Sequence, residues 1–256
     1  MNIKSSLLAL TTFALAAPAA HAQISGFGTF APANGSAINN GNSLTLTSNT
    51  GSEKGSIFAS AAQNISNGFD ASFVYTVTGT QTADGLTFTL QNDPRGTAAL
   101  GSGGGYLGYG GGTSAITNSA AAEFNFNQSN STGFDTNGGI GTPTNILNGV
   151  TLASGSPVGV HLVYDGATLT ETLTQSGSTF SVLYNTGSLQ NALGSSSAFV
   201  GFTGSDGGGA STQTVTNFTF ANSPAAVPET STTVSFGLLL MLGLGGIAVA
   251  RKKSVA

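Results

Sequence analysis

The chain has 256 residues, with six Lys and Arg against ten Asp and Glu and a formal net charge of −4. Charged residues are 6% of it, against about a quarter in an ordinary soluble domain. Six cations cannot build the basic patch that phosphate neutralisation needs, which excludes a nucleic-acid partner. The absence of Cys excludes a disulfide scaffold, a thiolate metal centre and a Cys nucleophile.

The first element is an address. Lys4 precedes an apolar run from Leu7 to Ala17, and Ala20-His21-Ala22 places small residues at the −3 and −1 positions of a cleavage site. Residues 1–22 therefore read as a secretory signal peptide cleaved before Gln23. The run is too short for the roughly 20 residues that a spanning helix needs.

The body, 23–222, carries two cations, Lys54 and Arg95, against nine carboxylates, a net −7 that suits neutral or cationic partners. Apolar residues alternate along it at period two, the signature of half-buried strands. The rows are Phe73, Tyr75 and Val77; Leu86, Phe88 and Leu90; Ala122, Phe124 and Phe126; Val158, Val160, Leu162 and Tyr164; Leu169 and Leu173 around Glu171; Phe180, Val182 and Tyr184; and Phe199 to Phe202. A last strand ends Phe218-Thr219-Phe220. Gly, Asn, Asp and Ser fill the breaks, as turns require, and no apolar helical period lasts three turns. Threonines within the strands suit a pleated, half-wet face. Many short strands with turn signals predict an all-β sandwich or barrel, whose two apolar faces bury each other. No fixed repeat argues for a solenoid, and the chain's sixteen Phe argue for a real core rather than low-complexity filler.

Three stretches carry candidate chemistry: Ala83-Asp84-Gly85 entering the strand Leu86–Leu90, Gly103-Gly104-Gly105-Tyr106-Leu107-Gly108, and Ala122-Glu123-Phe124-Asn125-Phe126-Asn127 continuing through Asn130 to Asp135. A carboxylate accepts sugar hydroxyls, and a glycine beside it lets backbone approach. Asp84 with Gly104 and Gly105 is such a unit, and Phe126, Phe134 and Tyr106 are candidates for stacking on the sugar's apolar face. In order and spacing the three stretches resemble the legume-type (L-type) lectins. Val160–Asp165 resembles that family's back-sheet strand, and Ala198–Gly204 followed by Asp206-Gly207-Gly208-Gly209 resembles its last loop. The resemblance covers about Gly26 to Phe220. It implies a concanavalin-like β-sandwich (jelly roll) and a carbohydrate site of Asp84, Gly104, Gly105, Asn130, Phe134, Gly207 and Gly208.

The same resemblance implies a metal loop holding Glu123, Asn125, Asn127 and Asp135. A hard cation asks for several oxygen ligands, usually with two or more carboxylates. Here Asn125 stands where the family pattern has Asp, no His follows Asp135, and the loop is one residue longer. A transition metal is not expected, and a Ca²⁺ site is weakened by one charge. For glycoside hydrolysis the sandwich needs paired carboxylates, and the nearest run, Glu123-Phe124-Asn125-Phe126-Asn127, has amides at both later positions. No Gly-x-Ser-x-Gly elbow is present. His161, mid-strand, reads as a satisfied structural residue. The expectation is a binding protein, not an enzyme.

The last element, 223–256, is a second address. Val227-Pro228-Glu229-Thr230 precedes Val234 to Ala250 without a charge, then Arg251-Lys252-Lys253. Seventeen such residues are the lower limit of a membrane helix, and the basic cluster stays cytoplasmic. This tail resembles the PEP-CTERM sorting signal of Gram-negative, exopolysaccharide-producing bacteria, with Val227, Pro228 and Glu229 matching its motif and Thr230 departing from it. The resemblance implies an inner-membrane precursor, processing by an exosortase-type protease, and delivery to the cell surface or matrix. The function expected is carbohydrate binding to neutral glycan or exopolysaccharide. The alternatives are a non-binding matrix protein on the same sandwich and a hydrolase.

Overall fold

The computed structural model describes residues 23–79, 82–127, 130–141 and 147–222. The signal peptide, the sorting motif, the membrane segment and the basic tail lie outside the described residues. Among the described residues, no helix is long and apolar enough to cross a membrane.

Fifteen strands are described. They are β1 (Gln23–Ser25), β2 (Asn34–Gly35), β3 (Ile38–Asn39), β4 (Ser43–Thr47), β5 (Lys54–Phe58), β6 (Gln63–Asn64), β7 (Phe69–Thr78), β8 (Gly85–Gln91), β9 (Ser119–Asn125), β10 (Ser131–Thr136), β11 (Val158–Tyr164), β12 (Leu169–Gln175), β13 (Ser178–Tyr184), β14 (Ser197–Ser205) and β15 (Thr212–Asn222). One short helix, α1 (Leu189–Leu193), precedes β14. The back sheet runs β13-β12-β11-β7-β15-β4-β3, with β1 also on β15. The front sheet runs β10-β9-β8-β14-β5-β2, with β6 also on β14. Every pairing is antiparallel.

The predicted rows form the core between the sheets. Phe73, Tyr75 and Val77 of β7 face Leu86, Phe88 and Leu90 of β8, all nearly inaccessible. The rings meet edge-on or offset, as in Phe73–Phe202 at 5.0 Å and 80° and Phe202–Phe218 at 5.1 Å and 82°. Those arrangements bring ring edges to ring faces, which favours them over face-to-face sandwiches. In β15 the register shifts between Thr216 and Thr219, with Asn217 at φ 54°. The extra residue restores the inward parity, so Phe218 and Phe220 join Val215 in the core.

The threonines of the front sheet depart from the half-wet expectation. Thr87, Thr89 and Thr203 face away from the core, yet each is fully buried. The long connection 92–118 lies over them, with Ala99, Tyr109 and Ile116 packing on Phe58 and Ala121 as a second apolar cluster. Below that layer Thr87 Oγ1 is 2.6 Å from Thr89 Oγ1 and 2.8 Å from Thr203 Oγ1. Thr203 donates to the Leu107 carbonyl at 2.7 Å, so buried hydroxyls anchor the connection to the sheet. This anchorage positions the glycine turn 103–108 over the end of β8.

Candidate functional site

Asp84 enters β8 after a cis Ala83–Asp84 peptide. It is fixed by its backbone first. Its N–H donates to the Ser205 carbonyl at 2.8 Å, and its carbonyl accepts from the N–H groups of Phe126 at 2.9 Å and Asn127 at 3.3 Å. The Asn127 amide nitrogen then donates to Asp84 Oδ1 at 2.5 Å. The other oxygen, Oδ2, is turned to two glycines. A Cβ on Gly207 would stand 2.9 Å from Oδ2, and one on Gly104 3.6 Å from it. Asp84 is 4% exposed, so its carboxylate sits at the floor of this corner.

Gly104 has φ +62°, a left-handed conformation that glycine adopts without steric cost. Its N–H donates to the Asp206 carbonyl at 3.1 Å, and its own carbonyl accepts from Ser205 Oγ at 2.7 Å. Gly105 and Gly208 are exposed, and a Cβ on either would meet nothing within 4 Å. Of the three aromatic candidates, Tyr106 is 52% exposed beside Gly104. Phe126 is buried and stacks on Tyr75 at 6.1 Å. Phe134 leans on Tyr184 at 5.8 Å at the edge of the core. Asn130 uses its amide elsewhere, donating to Val150 O at 2.8 Å and accepting from Leu152 N–H at 2.7 Å. The structure thus gathers Asp84, Gly104 and Gly207. It ties Asn130 and Phe134 to other parts of the fold.

Sequence reasoning missed Asp206 as part of this corner. It is 1% exposed. Its Oδ1 accepts from Glu53 N–H at 2.7 Å, and its N–H donates to Glu53 O at 3.0 Å. Burial pushes its carboxyl above the usual range, and the charges of Glu53 and Asp84 add to that despite the N–H groups of Glu53 and Ser211. The only signal in the sequence was an Asp before a glycine run, which reads as a turn.

The residues expected to bind metal divide. Glu123 on β9 is fully buried, with Oε2 accepting from Gly141 N–H at 3.0 Å and Oε1 without a hydrogen-bond partner. Burial pushes its carboxyl up to about 8 against the Gly141 N–H, and the Asp135 charge adds to the rise. Asp135 on β10 accepts from Thr136 N–H at 2.6 Å, and Gly139 lies so close that a Cβ there would be 2.7 Å from its carboxyl carbon. Asn125 ends β9 opposite Gly85. Asn127 turns to Asp84 instead. Among the described residues, no three His, Asp or Glu come together as a metal shell. Glu123 and Asp135 are two carboxylates, short of the several oxygen ligands that a hard cation needs, and Asn127 is turned away to Asp84. His161 belongs to the exposed face of the back sheet, 3.1 Å from both Asp70 oxygens. The two side chains form a half-exposed surface pair.

A family profile described as the legume lectin domain matches residues 23–235. The chain belongs to the legume lectin domain family. Lectins bind carbohydrate and are generally not enzymes. Solved structures share the fold at low identity. The Bauhinia forficata lectin, in complex with GalNAc, is 20% identical over 80% of this chain and 100% of its own, with a TM-score of 0.67. The winged bean acidic lectin, complexed with methyl-α-D-galactose, is 18% identical over 79% and 98%, at 0.66. Arcelin-5, a lectin-like defence protein of Phaseolus vulgaris, is 18% identical over 78% and 97%, at 0.65. No curated protein matches the chain.

Proposed function

We propose that this legume lectin domain is an exported, surface or matrix protein that binds neutral glycan or exopolysaccharide at the Asp84 corner. The observation that carries the reading is the Asp84 carboxylate, with one oxygen anchored by Asn127 and the other turned to Gly104 and Gly207. A sugar hydroxyl donates to Oδ2, a charge-assisted bond about twice as strong as a neutral one. Glycines on both sides keep the approach clear of side chains. Tyr106 offers an exposed ring beside Gly104 for the apolar face of the sugar. A body with few charges does not repel a neutral polymer, and that supports a neutral glycan over a charged one. The structures of relatives with GalNAc and methyl-α-D-galactose make these the first sugars to try.

The Ca²⁺ that the family pattern suggests finds no complete shell among the described residues, since Glu123 and Asp135 accept from the Gly141 and Thr136 N–H groups. Export rests on residues 1–22 and on the tail with Val227, Pro228 and Glu229, which supports an exosortase-type partner and transient membrane anchorage. The test is a glycan array with the full chain, run beside Asp84→Ala. Binding by the wild type and at least a tenfold loss in the variant are expected, since the variant removes a charged acceptor worth about 1.5–3 kcal/mol. Equal binding by the two proteins would remove Asp84 from the site.

A further inference from the structure

We infer that the Asp84 carboxylate is set in its ligand-ready position by the chain's own groups, with Asn127 and Asp206 as positioning residues, and not by a divalent cation. The inference rests on the glycan-binding reading for its consequence, but the clamp stands on separate contacts.

Asp84 is gripped from two sides. From the β9 end, Phe126 and Asn127 donate their N–H groups to its carbonyl, and the Asn127 side-chain nitrogen reaches Oδ1 at 2.5 Å. An amide N–H is a neutral donor that compensates the buried charge and fixes the carboxylate plane, leaving Oδ2 as acceptor. From the β14 end, Asp84 N–H donates to Ser205 O, and the next residue, Asp206, knots three segments together. Its carbonyl accepts Gly104 N–H, its Oδ1 accepts Glu53 N–H, and its N–H returns to Glu53 O. Beyond it, the Gly207 carbonyl accepts Ser52 N–H at 2.8 Å. Gly104 and Gly207, the two walls facing Oδ2, are therefore placed by Asp206 and its neighbour.

A cation could perform the same task by drawing a carboxylate into place. Here the carboxylates expected to hold one, Glu123 and Asp135, bond instead to Gly141 and Thr136 and, among the described residues, form no metal shell. Among the described residues, neither side chain is hydrogen-bonded to Asp84 or Asn127. The Asp84 clamp is therefore built from contacts that no cation supplies.

The experiment uses the full chain, with N-acetylgalactosamine and methyl-α-D-galactose as glycan probes and either EDTA or millimolar CaCl₂ in the buffer. The Asn127 side-chain amide is followed in parallel by NMR. The expected result is shifted and exchange-protected Asn127 amide protons in EDTA, unmoved by CaCl₂, and glycan affinity within about twofold between the two buffers. Asn127→Ala is expected to lose at least tenfold in affinity with an unchanged Tm. Asn127→Asp replaces the amide donor with a second carboxylate facing Asp84, so it too is expected to lose at least tenfold in affinity at neutral pH. Asp206→Asn, which keeps an acceptor for Glu53 N–H, retains binding, and Asp206→Ala loses it. Glycan binding abolished by EDTA overturns the inference. So do Asn127 amide protons that exchange freely in EDTA or order only with Ca²⁺. If neither probe binds while the amide is protected in EDTA, the clamp stands and the glycan reading falls.

Discussion

Gly207 is the residue whose side chain matters most by being absent. A methyl group there would stand 2.9 Å from Asp84 Oδ2, closer than carbon and oxygen tolerate. The carboxylate end is the part that yields, so the cost falls on ligand binding and little of it on folding. Gly207→Ala is expected to lower glycan affinity about tenfold, or about 1.4 kcal/mol. Its Tm should stay within about 2 °C of wild type, because Gly207 has no left-handed φ to strain. Titration calorimetry and a thermal melt check the two halves of that statement. Wild-type affinity in the variant would mean that Oδ2 is not the acceptor.

At the scale of the element, the 92–118 connection depends on one ion pair. Arg95 Nε reaches Asp93 Oδ1 at 2.7 Å, and its Nη2 reaches Oδ2 at 2.9 Å. The same guanidinium donates to the carbonyls of Leu100, Ser114 and Ala115. Burial alone would raise the Asp93 carboxyl, but the hydrogen bonds from Arg95 and Thr117 and the Arg95 charge hold it well below the usual range. A carboxylate depressed in the folded state contributes its stability above the ordinary Asp value of about 3.9 and loses it as the pH falls through the folded value. The pair therefore weakens only in strong acid. Arg95→Ala leaves a nearly buried Asp93 with only the residue-95 backbone N–H and the Thr117 donors. The expected loss is about 2 kcal/mol, measured by urea unfolding at neutral pH. Glycan affinity should fall as well, since the Gly103–Tyr106 turn rides on this connection. An unchanged midpoint would show that the pair is ornamental.

At the scale of the molecule, the two sheets are joined by a polar contact inside an aromatic core. Glu171 of β12 is fully buried and accepts from Thr132 Oγ1 of β10 at 2.6 Å. The hydroxyls of Tyr75 and Tyr184 stand near it, and burial, with its charge added, pushes both of them up. Burial pushes the Glu171 carboxyl up to about 8, against the hydrogen bonds it receives. The sign follows from proton counting. Between about 4.5 and about 8 the unfolded chain has released this proton and the folded chain keeps it, so stability falls as the pH rises. The slope for one such group is at most about 1.4 kcal/mol per pH unit. Glu171→Gln keeps an acceptor for Thr132 and removes the titration. Its unfolding free energy should therefore decline less than that of wild type between pH 5 and pH 8, as read from urea midpoints. Parallel declines would place the charge of Glu171 in water.

The alternation of Phe73, Tyr75 and Val77, or of Leu86, Phe88 and Leu90, determined by itself that these segments are strands and which side faces inward. Period two leaves no other way to bury every apolar side chain. The glycines and Asp84 were legible for a similar reason, since a carboxylate entering a strand near a glycine run is a local pattern. What the tertiary structure alone decided is who meets whom. Thr87 and Thr89 look half-wet in sequence and are dry, because the connection 92–118 folds back over them. Asn127 follows a strand of would-be metal ligands, yet leaving β9 after Asn125 turned its amide to Asp84. Asp206 lies more than a hundred residues from Gly104, and only the pairing of β14 beside β8 brings its carbonyl to that turn. Side-chain periodicity is a short-range property of the backbone, so one sequence displays it. The contacts that build the site span the chain, and their register is set by which strands find each other.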